Sequence, residues 1–283
     1  MHLACVCSAW LLYITTFLSD KRSIYLIRSC RELYPLRFRY VLQKEVYLHR
    51  FSETCFQPFR VVVPDDSSDY SSLPTSVKRV RFGVSCRKAL VPGSLPDRIT
   101  HITFGHYFNE PIKEYDLPQS LQVLRFYGLY NQLLTRRTLP ESLINLSFGD
   151  SFDQPIAVNV LPRSLRILRF RRFFNQPLTP GVFPPALEHL TFGENFNQVI
   201  DPGVLPQSLT HLTFEFAFNQ LIVQNVLPRS LTHLVFGPDF DQELLESQIP
   251  RSLKSLQISI QYSFPLTLSR ALPLSCKLQH DGW

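Results

Sequence analysis

The six cysteines, at 5, 7, 30, 55, 86 and 276, form no C-x-x-C pair and have no histidine at ligand spacing. A structural zinc site needs clustered thiolate and imidazole ligands, so none is expected. Scattered thiols in a chain of 283 residues suit a reducing compartment, and a cytoplasmic or nuclear location follows as an expectation. Also missing are a G-x-S-x-G elbow, a Gly-rich phosphate loop ahead of a helix and an H-E-x-x-H pair. Carboxylates number only 23 and stand in unrelated positions, which leaves no general acid and base constellation. The chain therefore reads as a non-enzyme without metal or cofactor.

Charge is thin, at 18% of residues, whereas Phe alone occurs 23 times, a composition that fits a folded chain and not a disordered one. The net charge of +6 is uneven: residues 1–64 hold nine Lys/Arg against four Asp/Glu, and the remainder twenty against nineteen. A near-neutral remainder is poor material for tracking phosphates, so nucleic acid is not an expected partner. No apolar run reaches the roughly 20 residues of a spanning helix. Leu3 to Leu18 is shorter, includes Ser8, Thr15 and Thr16, and lacks the basic flank of a signal peptide. Membrane association is not expected, although an N-terminal anchor stays open as an alternative.

What the chain does have is a repeat. Proline recurs at 74, 96, 118, 140, 162, 184, 206, 228 and 250, always 22 residues on, within the unit Leu-Pro-x-Ser-Leu-x-x-Leu-x-Phe-Gly-x-x-Phe-Asn-Gln-Pro-Ile. Units this short cannot bury an apolar face alone and must stack into a solenoid. The second half of the unit stands as Phe108-Asn109-Glu110-Pro111, Phe152-Asp153-Gln154-Pro155, Phe174-Asn175-Gln176-Pro177 and Phe196-Asn197-Gln198-Val199. In these residues the chain resembles the FNIP repeat, a relative of the leucine-rich repeat. The fold expected is a mostly β, leucine-rich-repeat-like solenoid with a parallel sheet, its nine or so units filling residues 73–266.

Leu165, Leu168 and Phe170 take inward positions, and Leu168-Arg169-Phe170 alternates as a strand does. Two aromatic columns, one through Phe170 and one through Phe174, are expected to stack along the solenoid. The Asn or Asp and Gln that follow the second aromatic are read as ladders satisfying backbone groups of the neighbouring loop. Leu-Pro sets an extended corner, and Gly83, Gly105, Gly149, Gly193 and Gly237 are placed in the turn leaving the strand.

The outward strand positions vary, and a binding function falls to them. They include Arg79, Arg81, His101, Arg125 and Arg169, and then His189, His211 and His233 in consecutive units. The resemblance to leucine-rich repeats implies that these line a concave, target-binding face. Three stacked imidazoles invite a metal reading, but their spacing splays them and no carboxylate column accompanies them. Ordinary polar surface, or a partner contact sensitive to pH, are the readings left.

Ahead of the repeats, Ser19-Asp20 offers an N-cap before Ser23 to Leu33, and Pro35 stops that helix. Ile14-x-x-Phe17-Leu18-Ser19-Asp20, together with Cys30-Arg31-Glu32-Leu33-Tyr34, resembles a degenerate F-box. The resemblance implies an adaptor-binding segment within residues 1–40, with Ile14, Phe17, Leu18, Ile24, Ile27, Cys30, Leu33 and Tyr34 supplying the contact. The implied partners are a Skp1-like adaptor and a cullin ligase, with the solenoid holding an unknown protein target for ubiquitin transfer. The alternative is a binding scaffold without a ubiquitin role, whose N-terminal helices only cap the solenoid. Residues 41–72 read as a transitional cap and linker, and 267–283, where the repeat decays, as a C-terminal cap.

Overall fold

A three-residue strand with one buried leucine is too short to be stable alone, so each unit pairs its strand with the same segment of the next. The structure, a computed structural model, describes residues 60–63, 73, 77–264 and 271–281. Its strands in chain order are β1 Arg60–Val63, β2 Arg79–Phe82, β3 His101–Thr103, β4 Val123–Arg125, β5 Asn145–Ser147 and β6 Ile167–Arg169. They continue as β7 His189–Phe192, β8 His211–Phe214, β9 His233–Val235, β10 Ser255–Ser259 and β11 Lys277–Asp281. All eleven form one parallel sheet in sequence order. From β2 onward every register step is 22 residues, as in Leu146 opposite Leu168 and Leu168 opposite Leu190.

The sheet outruns the span of clear repeats at both ends. The segment 41–72 supplies β1, which pairs with β2 at a step of 19 residues, Arg60 opposite Arg79. The segment 267–283 supplies β11, with Leu278 opposite Leu256. There Pro273 comes one residue late, and Cys276, whose N–H bonds Pro273 O at 2.8 Å as Leu253 N–H bonds Pro250 O at 3.0 Å, is followed one residue sooner by the strand. An insertion and a deletion cancel, and the register of 22 is restored.

The expected columns form the core. Leu165, Leu168, Phe170 and Phe174 are all at most 1% exposed. Within one coil Phe170 and Phe174 stack at 3.8 Å, and each ring faces its counterpart in the next coil, Phe192 at 5.9 Å and Phe196 at 6.1 Å. A buried ring of this kind contributes about 2–3 kcal/mol.

Spacing between equivalent groups reveals the curvature. For the step from β8 to β9, His211 and His233 on the outward face lie 4.2 Å apart, Phe214 and Phe236 beneath the sheet 5.5 Å, and Phe218 and Phe240 deeper still 6.1 Å. The coils fan open away from the sheet, so the sheet lies on the inner, concave side of an arc.

Polar ladders run with the aromatic ones. Asn131 Oδ1 accepts from Asp153 N–H at 2.9 Å and from Gln154 Nε2 at 3.1 Å, and the pattern repeats at Asp153, Asn175, Asn197 and Asn219. Each side-chain oxygen thus serves a loop N–H of the following coil, as polar groups shielded from water must be served. A second ladder comes from serines: Ser142, Ser164, Ser208, Ser230 and Ser252 donate to the carbonyls of Leu121, Leu143, Leu187, Leu209 and Leu231.

Turn chemistry needs one correction. Of the glycines placed at the strand exit, Gly105, Gly193 and Gly237 are required by close approach, because a Cβ would meet a backbone oxygen of the previous coil at 1.9, 1.9 and 1.2 Å. None of the five has a positive φ. The left-handed position is instead a separate column, Gly93, Tyr115, Arg137, Asn159, Gly181, Gly203 and Asn225, at φ between 65° and 86°. It lies just before each Leu-Pro corner, and non-glycine residues occupy four of its seven places.

Candidate functional site

A strand buried on one side exposes alternate residues, and here these make two columns on the concave face. One runs Arg79, His101, Val123, Asn145, Ile167, His189, His211, His233, Ser255, Lys277, and the other Arg81, Thr103, Arg125, Ser147, Arg169, Thr191, Thr213, Val235, Gln257, Gln279. Neither holds an Asp or Glu, although carboxylates elsewhere in the repeats nearly balance the basic residues. All eight residues expected on the face are brought onto it. Thr103 is the one buried member, 5% exposed between Arg81 and Arg125 in the register.

The flanks contrast with the face. Arg137 pairs with Glu114 at 3.3 Å, Arg166 with Glu188 at 2.6 Å, Arg171 with Asp150 at 3.4 Å and Arg172 with Glu194 at 3.1 Å. On the face, Arg125 and Arg169 are exposed, and neither has an ion pair among the described residues. Arg81 lies 5.8 Å from the Tyr127 ring centre, two coils along. The unit that pairs cations with acids along its edges leaves the inner face with cations alone.

At the other end of the arc the imidazoles of His189, His211 and His233 stack at 4.2 Å each, the last two inclined by 5°. Thr210 Oγ1 donates to Glu188 O at 3.0 Å and meets His211 Nδ1 at 2.9 Å; Thr232 repeats this with Thr210 O and His233 Nδ1. A hydroxyl that has already donated its proton can only accept, so Nδ1 carries the hydrogen and Nε2 is the nitrogen that titrates. Burial, then the charges of His189 and His233, hold His211 below the ordinary histidine range. Parallel rings aim their nitrogens in parallel, which prevents two of them from converging on one ion at about 2.0–2.1 Å.

A cleft of about 780 Å³ opens beside the ladder, lined by His211, His233, Lys254, Ser255, Gln257, Lys277 and Gln279, again without a carboxylate. Lys277 and the cleft were not anticipated, because the repeat pattern is lost before β11. The Thr clamps were missed too, although a Thr-His dipeptide at 100–101, 210–211 and 232–233 was visible. The proposed adaptor residues, Ile14, Phe17, Leu18, Ile24, Ile27, Cys30, Leu33 and Tyr34, lie outside the described residues.

Comparison with known proteins adds two findings. The family model "FNIP Repeat" matches residues 69–107, 88–128, 130–173, 174–216 and 218–260. Among solved structures, "The crystal structure of CroV588 a novel circular LRR protein structure" is similar at 39% identity over 76% of this chain, with a TM-score of 0.71. The chain spans 35% of that protein's length. No curated protein matches.

Proposed function

The chain belongs to the FNIP repeat family, and we propose that it is a protein-binding scaffold that holds a protein target on its concave face and presents it to a Skp1-cullin-type ubiquitin ligase. The observation that carries the binding half is the contrast between columns. Core, corner and ladder positions repeat, whereas the two face columns vary in size and charge yet exclude carboxylates. A varied exposed face on an otherwise repeating frame is what recognition requires of a rigid repeat.

The ligase half rests on the F-box resemblance of Ile14 to Tyr34. Its mechanism is proximity: a receptor bound to both partners raises the effective concentration of a target lysine near the ubiquitin-loaded enzyme. No chemistry is asked of the solenoid itself. The test is capture of adaptor and cullin from lysate by the full chain, beside a variant with Phe17, Leu18 and Ile24 changed to polar residues. Loss of the adaptor in the variant supports a receptor. No adaptor with either chain leaves a scaffold whose N-terminal segment caps the solenoid, the second reading.

A further inference from the structure

We propose that the concave face takes an acidic polypeptide segment in extended form, laid across the strands from Arg125 toward the histidine ladder and the cleft at Lys277. The inference rests on the reading of this face as the binding surface and names the chemistry of its partner.

Charge complementarity is the first argument. Arg125 and Arg169 present guanidiniums without an ion pair among the described residues, and Lys254 and Lys277 line the cleft at the far end. Fixed cations in two columns that hold no Asp or Glu favour an anion.

Shape selects the kind of anion. The strip that carries these cations is two side chains wide on each strand, about 7 Å along the strand direction. Acids border it: Glu188 on one side, and Asp150, Glu194, Glu215 and Asp281, the last residue of β11, past the two columns on the other. A broad polyanion such as a duplex would meet these acids, whereas one extended chain lies between them.

Spacing is the third argument. Arg125 and Arg169 are two strands apart, about 9.6 Å at the usual interstrand distance. A polyproline II segment brings every third side chain to the same side, about 9.3 Å along. Glutamates three residues apart would therefore meet successive arginines, each able to form a paired guanidinium–carboxylate contact.

The ladder makes the same surface sensitive to pH. The groups facing it are Arg169 on β6, Glu188 before His189 and tied to Arg166, Lys254 and Lys277 toward β10 and β11, and Glu215 beyond β8. Protonation at Nε2 adds donors and positive charge on the path of the acidic chain, so binding strengthens as pH falls.

The experiment is fluorescence anisotropy with the full chain and four labelled probes: a peptide with Glu at every third position between prolines, its Lys counterpart, a neutral apolar peptide, and a single-stranded oligonucleotide. The Glu peptide is expected to bind, more tightly at pH 5.5 than at pH 7.5. Affinity should drop at least tenfold in Arg125→Glu/Arg169→Glu but not in the equally charged control Arg163→Glu/Arg251→Glu. Replacing His189, His211 and His233 by Gln should remove the gain at low pH. Equal losses in both double variants, or an oligonucleotide that binds as tightly with the same arginine dependence, overturn the proposal. If only the Lys or apolar peptide binds and face substitutions abolish it, the acidic partner is wrong while the concave face stands as the binding surface. If no peptide binds and face substitutions also leave capture of proteins from lysate unchanged, both readings fail.

Discussion

Two tyrosines in one aromatic column should respond to loss of their hydroxyls with opposite sign. Tyr130 is 0% exposed, stacked 3.9 Å from Phe126 and about midway between Phe108 at 6.0 Å and Phe152 at 6.3 Å. Its hydroxyl has no hydrogen-bond partner among the described residues. Tyr262 continues the column beside Phe240, but its hydroxyl donates to Gln242 O at 2.9 Å and accepts from Leu244 N–H at 3.2 Å. A buried polar group without a partner costs about 1–3 kcal/mol, so Tyr130→Phe should stabilise the chain by about 1 kcal/mol. Tyr262→Phe removes two bonds worth about 1 kcal/mol each and orphans their partners, so it should destabilise by about 2 kcal/mol. The assay is guanidinium unfolding followed by circular dichroism, comparing midpoints at constant slope.

The same pair gives an alkaline readout. Burial raises the Tyr130 phenol far above its ordinary value of 10.0, while Tyr262 is pushed up to about 12, mainly by burial. As pH rises past 10.0, the unfolded phenols ionise and the folded ones do not, so stability falls. Tyr130→Phe should flatten part of that fall. A neutral or destabilising Tyr130→Phe would refute the reasoning, because it would mean that something satisfies the hydroxyl and the stack is not dry.

Further substitutions test the corners, the ladders and the histidines. Tyr115→Gly and Arg137→Gly, at φ 66° and 68°, should each raise stability by about 0.5–1 kcal/mol, whereas Gly203→Ala, with open space but φ +86°, should cost about 1–2 kcal/mol in the same unfolding assay. Gly237→Ala places a Cβ 1.2 Å from Glu215 O and should cost about 3 kcal/mol or more, read as a loss of thermal midpoint; an effect no larger than that of Gly203→Ala would contradict the close approach. Ala186 interrupts the serine ladder between Ser164 and Ser208, so Ala186→Ser should gain about 0.5–1.5 kcal/mol by bonding Leu165 O. His211 is held below its ordinary 6.5, so its contribution is intact above that pH and lost as pH falls through its lowered folded value. Acid titration of stability should show that loss, and His211→Gln should reduce it.

The fold was legible because its signal is repeated: nine prolines in register outweigh any local ambiguity, and Leu168 or Phe170 could be placed inside from one unit alone. The Asn and Gln ladders were readable for the same reason, since a polar residue repeated within an apolar unit must find its partner in the next copy. The left-handed column escaped because its identity is not repeated: Tyr115 and Arg137 carry no mark of a positive φ, and only Gly93, Gly181 and Gly203, with Asn159 and Asn225, hint at it. At the ends, β1 and β11 were hidden by a step of 19 residues and by the displaced Pro273. On the face, the residues were visible one by one, but the exclusion of carboxylates shows only when both columns are placed side by side.

The two ends of the concave face carry positive charge by different physical means, and the spacing explains why. Neighbours in one face column are a single strand apart, about 4.8 Å, well inside the screening length of about 8–10 Å. Permanent charges on adjacent strands repel with little screening by salt. Within their own column Arg81, Arg125 and Arg169 avoid this by standing 44 residues apart, two strands each time, with Thr103 and Ser147 between them, whereas in the other column Arg79 has Arg60 opposite it at the end of the sheet. Histidines need no such gap, because neutral imidazoles stack at 4.2 Å. Their closeness then acts against protonation of the middle ring. A proton on His189 or His233 opposes one on His211, which has a neighbour on both sides and is already disfavoured by burial. Imidazole resonances followed by nuclear magnetic resonance through an acid titration should show His211 shifting below the ordinary histidine range. An acidic chain lying along the ladder would offset that repulsion and raise His211. Titration of His211 with and without the Glu peptide would thus measure how closely the ligand approaches the middle of the ladder.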